Sequence, residues 1–502
     1  MTPSTAYRWL LDHYKETAYL QSSESVLSWD MRTFIPAKGF AHRAEQLATI
    51  TRLVHLRRTD PQIGDMLDAV ETSAWLEDPA STEAVNIREW RRDFDRNSKI
   101  PEQLMVRIAR VSAEAESCWQ TARGRNDWAA FKPYLEQIIA LKREQASLLE
   151  PAEELYDALL DEYEPGETAR GLEPIFAQLR DSLPALLDQV RNSSKRPDAG
   201  ILNRDYPPGR QERLARDVVG RLGYDFAAGR LDVSAHPFTV GIGPGDVRIT
   251  VRYNPGYFGS GFFAALHEAG HALYEQGLPV EHWGTPRGQA ASLGIHESQS
   301  RLWENFVGRS RSFWQCFYPL TVEQFPHLKN VDLDSFTFAV NEVKPGLIRT
   351  EADEVTYNLH ILLRFELELE LLRGDLEVEA LPAVWNEKMQ SYLGIVPEDY
   401  ASGVMQDIHW AAGAIGYFPT YTLGNLYAAQ LFAQAGRALP SLESGISRGD
   451  FAPLLEWLAN NVHQEGCRHQ PRDLLKKVTG EELKPDCLIH YLQQKYGDLY
   501  GF

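Results

Sequence analysis

The sequence predicts a mainly α-helical fold with one small β element. Three observations carry that expectation: apolar residues recur every three or four positions over long stretches, turn signals separate those stretches, and a single short region alternates strictly. Residues 41–57 place Ala44, Leu47, Ile50, Leu53 and Val54 on one face, the pattern of a half-buried helix. The same period runs through 102–122 and 134–163. PGE at 165–167 and PPG at 207–209 read as turns within this pattern, and neither resembles a linker. Residues 1–502 are therefore expected to form a single catalytic domain.

The β element is predicted at 236–254. Phe238, Val240 and Ile242, then Val247, Ile249 and Val251, alternate with other residues on either side of a Gly-Pro-Gly turn, which indicates a hairpin. Asp246, Arg248 and Thr250 fall on the face opposite the valines and isoleucine. Such a hairpin can accept a peptide as an added strand through backbone hydrogen bonds. Alternatively it is a small structural sheet with a solvated polar face.

Composition narrows the class. An apolar share of 43% and an aromatic share of 11% are those of a globular chain, and no repeat or low-complexity tract appears. A formal charge of −19 opposes capture by nucleic acid or an anionic membrane. No stretch approaches the roughly 20 apolar residues of a membrane span. The polar, amphipathic start lacks the pattern of a secretory signal, and Cys118, Cys316, Cys467 and Cys487 are widely spaced without a CxxC pair. These features lead us to expect reduced thiols and a cytoplasmic protein.

The strongest chemical signal is His267-Glu268-Ala269-Gly270-His271. Residues four apart share a helix face, so both imidazoles can reach one ion, and Glu268 lies where it can hold a water as general base. Phe262, Phe263, Leu266, Ala269 and Leu273 supply an apolar face for that helix, while Gly277 and Pro279 supply a stop. A catalytic zinc site usually takes a third protein ligand. Tyr274 and Gly277 occupy the places a third histidine pattern would need, and position 290 is alanine where another common spacing has glutamate. Glu275 would have to reach backward against the tilt of helical side chains. Glu297 opens a second amphipathic stretch with Leu302, Phe306 and Trp314, and is the expected third ligand; by itself it would read as an exposed glutamate at a helix start.

With these residues in place the chain closely resembles the carboxypeptidase Taq family of metallocarboxypeptidases. The likeness rests on six ordered segments: His236-Pro237-Phe238, DVRIT at 246–250, HEAGH at 267–271, HESQ at 296–299, IRTEAD at 348–353 and GVMQDIHW at 403–410. It continues through LSWDMRTFIP at 27–36, RAEQLATI at 43–50 and LYDALLDEYEPG at 155–166, hence over essentially the whole chain. The resemblance implies a two-lobed helical zinc-peptidase fold with a deep central groove and a homodimeric assembly. It also implies one zinc ion per chain, with cobalt as an alternative, and removal of single residues from peptides with a free C-terminus at broad specificity.

Further roles follow from what that chemistry needs. Charge developing on the tetrahedral oxygen requires donors already in place. His409 and Tyr421, twelve residues apart across the bend at Gly416 and Pro419, are the candidates, with Tyr417 as second choice; His409 can also be read as a core histidine beside Trp410. A terminal carboxylate calls for arginine, whose planar fork binds it bidentately. Arg349, close to a helix start, is favoured over Arg248 on the hairpin, although either can be half of a structural ion pair. Asp353 is placed to orient Arg349 or a zinc-bound imidazole. Two rival functions remain: a zinc endopeptidase or dipeptidase with the same metal triad, and a catalytically silent helical scaffold that binds peptides.

Overall fold

The structure, a computed structural model, describes residues 1–151 and 153–502. Helices dominate, and the expected fold class holds. Helix α1 (Pro3–Thr33) starts where the Thr2 hydroxyl accepts the Thr5 N–H at 3.3 Å, with proline in its first turn. Helix α2 (Phe40–Arg58) covers the predicted stretch 41–57, and its apolar stripe is half-buried as expected, with Leu47 and Ile50 partly covered and Ala44 exposed. Of that stripe only Val54 is buried, while Leu53 remains 39% exposed. Helix α2 packs chiefly against α1, which covers part of the stripe.

Helix α3 (Glu102–Arg125) matches its prediction. The stretch 134–163 is instead two helices: α4 (Trp128–Leu148) and a short segment at Leu155–Leu160. Glu150 adopts a left-handed conformation, φ 53°, directly before Pro151, and a residue preceding proline is kept out of the α region.

The predicted hairpin is present and gains a third strand. Strands β1 (Gly229–Val233), β2 (Phe238–Gly243) and β3 (Asp246–Val251) form a sheet in the order β1-β3-β2, with β3 parallel to β1 and antiparallel to β2. Val247, Ile249 and Val251 of β3 are buried beside helix α5 (Phe258–Gly277). The opposite face is not solvated, contrary to one of the two readings. Thr250 is fully buried and its hydroxyl accepts the Phe238 N–H at 3.1 Å, while Arg248 lies 4.2 Å from the ring centre of Trp29 on α1. One edge of β2 is left unpaired by the sheet.

The apolar face of α5 buries Phe262, Phe263, Leu266, Ala269 and Leu273, as the spacing predicts. Phe258 stacks on Phe262 at 5.0 Å, and Trp314 packs 5.2 Å from Phe262. Aromatic burial of this kind stabilises by about 1.5–3 kcal/mol per side chain, which holds the helix rigidly in place. Helix α6 (Leu293–Arg301) is capped by the Ser292 hydroxyl, which accepts the Ile295 N–H at 3.0 Å.

The described residues group into two compact units, each assembled from three separate stretches of chain. The first comprises Met1–Ser98, Asp198–Val340 and Tyr427–Glu482; the second comprises Lys99–Pro197, Asn341–Leu426 and Leu483–Phe502. No helix among the described residues is long and apolar enough to cross a membrane.

Candidate metal centre and substrate-binding residues

In the first unit, α5 and α6 are brought unusually close. A Cβ on Gly270 would lie 2.5 Å from the Gln299 carbonyl oxygen and from Ser300 Cα, so only glycine lets the two backbones meet there. The approach delivers Glu297 to the two histidines one helical turn apart. His267 Nε2 lies 3.4 Å and His271 Nε2 3.3 Å from the same oxygen, Glu297 Oε2. Ligand atoms of all three residues fall within 4.8 Å of one another. Glu297 is 6% exposed, not the solvated helix-start residue it would be in isolation.

The atoms around this triad orient it. Glu304 Oε2 lies 2.9 Å from His267 Nδ1; a carboxylate only accepts, so Nδ1 carries the hydrogen and Nε2 is the atom turned toward Glu297. His271 is held by a longer chain. Glu275 Oε1 is 2.8 Å from His296 Nε2, and His296 Nδ1 is 2.6 Å from His271 Nδ1. Glu275 accepts from His296 Nε2–H, which makes His296 Nδ1 an acceptor for His271 Nδ1–H and leaves His271 Nε2 with its lone pair. Such outer partners fix tautomer and ring orientation in metal sites. Glu297 is itself fixed by Arg301 Nε at 2.7 Å and the Ser300 hydroxyl at 2.8 Å.

Electrostatics agree with this geometry. Burial opposes charge on His267, yet Glu297 and Glu304 outweigh it and hold its pKa up to about 10; on His271 burial prevails and draws the value down to about 4. Against burial, Arg301 and His267 keep Glu297 well below the usual carboxylate range, and His267 and Arg301 bring Glu304 down to about 2. A divalent ion fits this place, since two nitrogens and one oxygen converge with their outer atoms already engaged. Replacing Glu297 by alanine is expected to weaken metal binding by more than about 100-fold, because losing even an outer partner typically costs 10–100-fold. Competition with a chelator measures it, and unchanged affinity would remove this carboxylate from the set.

Glu268 lies beside the triad and is also buried. Thr239 Oγ1 of β2 sits 2.7 Å from Glu268 Oε2 and 2.8 Å from the Glu268 carbonyl oxygen. Burial pushes the Glu268 pKa up, opposed by His267 and by Thr239.

The second unit gathers the other candidates. Arg349 is 5% exposed; its Nε and Nη2 donate to Asp407 Oδ1 at 3.0 and 2.8 Å, and its Nη1 donates to the Tyr357 hydroxyl at 3.1 Å. Three of its five N–H groups are engaged, which leaves one on each terminal nitrogen. Asp407 also accepts from Arg364, whose Nε lies 2.7 Å from Oδ2. His409 Nε2 is 3.2 Å from the Tyr421 hydroxyl, and the rings of His409 and Tyr417 stand 5.3 Å apart. Burial, with Arg349 nearby, lowers the His409 pKa to about 4, so the ring is neutral near pH 7. Below this group, Glu368 of helix α7 (Tyr357–Arg373) takes the Trp410 indole N–H at 2.9 Å and the Gly416 N–H at 3.0 Å, which ties down both sides of the bend.

Two expectations need correction. Asp353 does not orient Arg349; its carboxylate accepts the N–H groups of Val355 and Thr356 at 2.9 and 3.0 Å and holds the turn that precedes α7. Asp407 does that work instead, from within GVMQDIHW and two residues before His409. Arg248 is bound to Asp246 through Nε and Nη2, each at 2.7 Å, and stacked on Trp29, which makes it half of a structural pair. Sequence reasoning also missed Glu304, the Glu275–His296 pair and Thr239. A hint existed for Glu304 alone, which falls seven residues after Glu297 and so on nearly the same helix face. The π-helical turn at Leu302–Val307 carries it.

Comparison with known proteins agrees with this geometry over the full length. The model of the carboxypeptidase Taq (M32) metallopeptidase family matches residues 9–496. Thermostable carboxypeptidase 1 of Thermus thermophilus is 55% identical over 510 residues, covering 100% of both chains, and carboxypeptidase 1 of Bacillus subtilis is 39% identical, covering 97% of each. Among solved structures, the M32 carboxypeptidase of Deinococcus radiodurans superposes with a TM-score of 0.96 at 39% identity, covering 99% of this chain and 100% of that one. Pyrococcus furiosus carboxypeptidase superposes with a TM-score of 0.94 at 35% identity, covering 98% and 99%. A helical chain that carries an HExxH helix, a converging glutamate and full-length likeness to these enzymes belongs to the carboxypeptidase Taq (M32) family and is a metal-dependent carboxypeptidase.

Proposed function

We propose that the chain removes single residues from peptide C-termini with broad specificity, using one zinc ion held by His267, His271 and Glu297, with Glu268 as general base. The convergence of both imidazole Nε2 atoms on Glu297 Oε2, at 3.4 and 3.3 Å, carries this reading. A donor set of two imidazoles and a carboxylate suits zinc, and cobalt is the alternative that the family resemblance implies. The ion supplies Lewis acidity, which polarises a carbonyl and makes water far more acidic than in bulk. Glu268 takes the proton of the attacking water and can return it to the departing amine.

The roles in the second unit are proposed from the surroundings of each residue there. His409 Nε2 and the Tyr421 hydroxyl hold each other at 3.2 Å, so a developing oxyanion drawn in beside them would take up the hydrogen which that bond now uses; Tyr417 packs against His409 as part of the same cluster. Arg349 keeps two N–H groups for the substrate's terminal carboxylate. Arg248 is less suited, since Asp246 and Trp29 already engage it. A single catalytic domain is the consistent description, because each unit is assembled from three interleaved stretches.

Homodimeric assembly belongs to the same proposal. Phe34, Phe40, Leu53 and Leu56 are exposed at 56, 44, 39 and 55%, the kind of apolar surface an isologous interface buries, and sedimentation at two concentrations tests it. Cytoplasmic residence rests on Cys118, Cys316 and Cys467, which form no disulfide.

One experiment separates the functional readings. A peptide with a free C-terminus and its amidated twin are digested with and without chelator, and products are read by mass spectrometry. Stepwise loss of single C-terminal residues, blocked by chelator and by the amide, is the expected result. Internal cleavage of both peptides would replace the carboxypeptidase reading with an endopeptidase.

A further inference from the structure

Glu368 of α7, in the second unit, is a fully buried carboxylate that the proposed chemistry does not use. Three neutral groups answer it. Trp410 Nε1 donates to Oε1 at 2.9 Å, while the Gly416 N–H and the Tyr156 hydroxyl donate to Oε2 at 3.0 and 2.9 Å. Arg364, one turn earlier on the same helix, is engaged by Asp407 and by the His360 carbonyl. Burial therefore prevails over the three donors and pushes the Glu368 pKa up to about 7. A carboxyl buried without a cation is costly, so packing alone does not explain it.

The donors come from both ends of the bend that carries His409 and Tyr421. Trp410 directly follows His409, and Gly416 opens the turn that leads to Tyr421. Gly416 is wedged against the segment of Tyr156: its φ is 89°, and a Cβ there would lie 2.9 Å from Leu160 N and from the Leu159 carbonyl carbon. The His409 ring has little else to hold it. Its Nδ1 is buried without a hydrogen-bond partner among the described residues, since Asp407 Oδ1 stands 4.0 Å away. The backbone of the bend and the Phe418 ring, 4.6 Å off, therefore place the ring so that Nε2 meets the Tyr421 hydroxyl at 3.2 Å.

The nature of the donors explains why a carboxyl group stands here. An indole N–H and a backbone N–H can only donate, so both oxygens of the side chain facing them must accept. A carboxylate does so. The protonated acid does too, because its O–H can turn to Tyr156, the one partner of the three whose oxygen can accept. A glutamine amide cannot, for its NH2 would face either Trp410 or Gly416, donor against donor.

We propose that Glu368 is a positioning residue for peptide hydrolysis: by accepting from Trp410 and Gly416 at once, it sets the span of the bend and with it the placement of His409 against Tyr421. The role rests on the reading of those two residues as the oxyanion donors, and Glu368 acts only through them. Arg349 is held separately, by Asp407 and Tyr357, so the group assigned to the substrate's terminal carboxylate does not depend on Glu368.

The test compares Glu368→Gln, Tyr421→Phe and the double variant, each as full-length, metal-loaded enzyme, on a free-C-terminus peptide. In Glu368→Gln, kcat is expected to fall roughly 10–100-fold, with KM within about twofold and metal content unchanged, the effect of catalytic groups slightly misplaced after the substrate is bound. Because both substitutions act on one pair, the double variant should be little slower than the slower single one. Effects that multiply, or a fall in kcat matched by a loss of folded protein in circular dichroism, would show a general structural role and overturn the proposal, as would wild-type kcat in Glu368→Gln. Wild-type kcat in both Tyr421→Phe and His409→Ala would remove the oxyanion reading itself, and this proposal with it. Should Glu368→Gln fail to fold, Trp410→Phe removes one of the two ties while keeping an aromatic ring, and wild-type kcat there overturns the proposal.

Discussion

Replacing Glu268 by glutamine is expected to lower kcat by roughly 10²–10⁴-fold while metal content stays unchanged, the range general-base catalysis typically supplies. The amide keeps the shape of the carboxylate and its contact with Thr239, 2.7 Å away, so the helix and the triad should persist. What it loses is the ability to take a proton. Because the water proton is transferred only in the transition state, kcat and kcat/KM should fall together, with KM little altered. Steady-state kinetics on a free-C-terminus peptide, with metal measured on the same sample, checks this. Wild-type turnover at full metal content would remove Glu268 as the base.

The largest effect on stability is expected at Asp407. Its carboxylate answers two buried guanidiniums, Arg349 through Oδ1 and Arg364 through Oδ2, and the Arg364 side chain is fully buried. Asp407→Ala leaves both cations without a counter-charge, and removing one partner of a buried pair typically costs about 3–5 kcal/mol. Equilibrium or thermal unfolding of the variant measures the loss. Adding Arg364→Met to the alanine variant should recover part of it, since the second substitution removes one stranded charge. A variant as stable as the parent would show that the pair is worth little.

The pH dependence has a definite sign. Despite burial, Arg364 and Arg349 hold the Asp407 pKa well below the usual value, so its contribution is fully present above the unfolded pKa of about 3.9. It is lost only as pH falls toward the lower folded value, and the alanine variant should lack that acid-side loss.

Several of these residues show how far local pattern reaches. Helix α5, its buried face, its stop after Gly277 and the pair His267–His271 were legible because they depend on spacing within one helix, where four residues make one turn. Glu297 was legible as a candidate because it opens a second amphipathic stretch. The break at Glu150-Pro151 was missed, although the rule that keeps a residue before proline out of a helix applies there. Which residues of the α2 stripe stay exposed, Ala44 and Leu53, was not legible for a different reason: periodicity shows which residues share a face, and not which of them another element covers.

The helical class, the hairpin and the HExxH motif with Glu268 between its two histidines were readable from the sequence, since each is written in intervals along a single segment. Only tertiary structure decided that Glu304, His296 and Glu275 set the tautomers of the two histidines, that Thr239 holds Glu268, and that Asp407 rather than Asp353 orients Arg349. Those pairings join side chains up to 58 residues apart, as Arg349 and Asp407 are. Hydrogen bonds depend on distance and direction in space, and chain spacing carries neither once the partners lie on different elements.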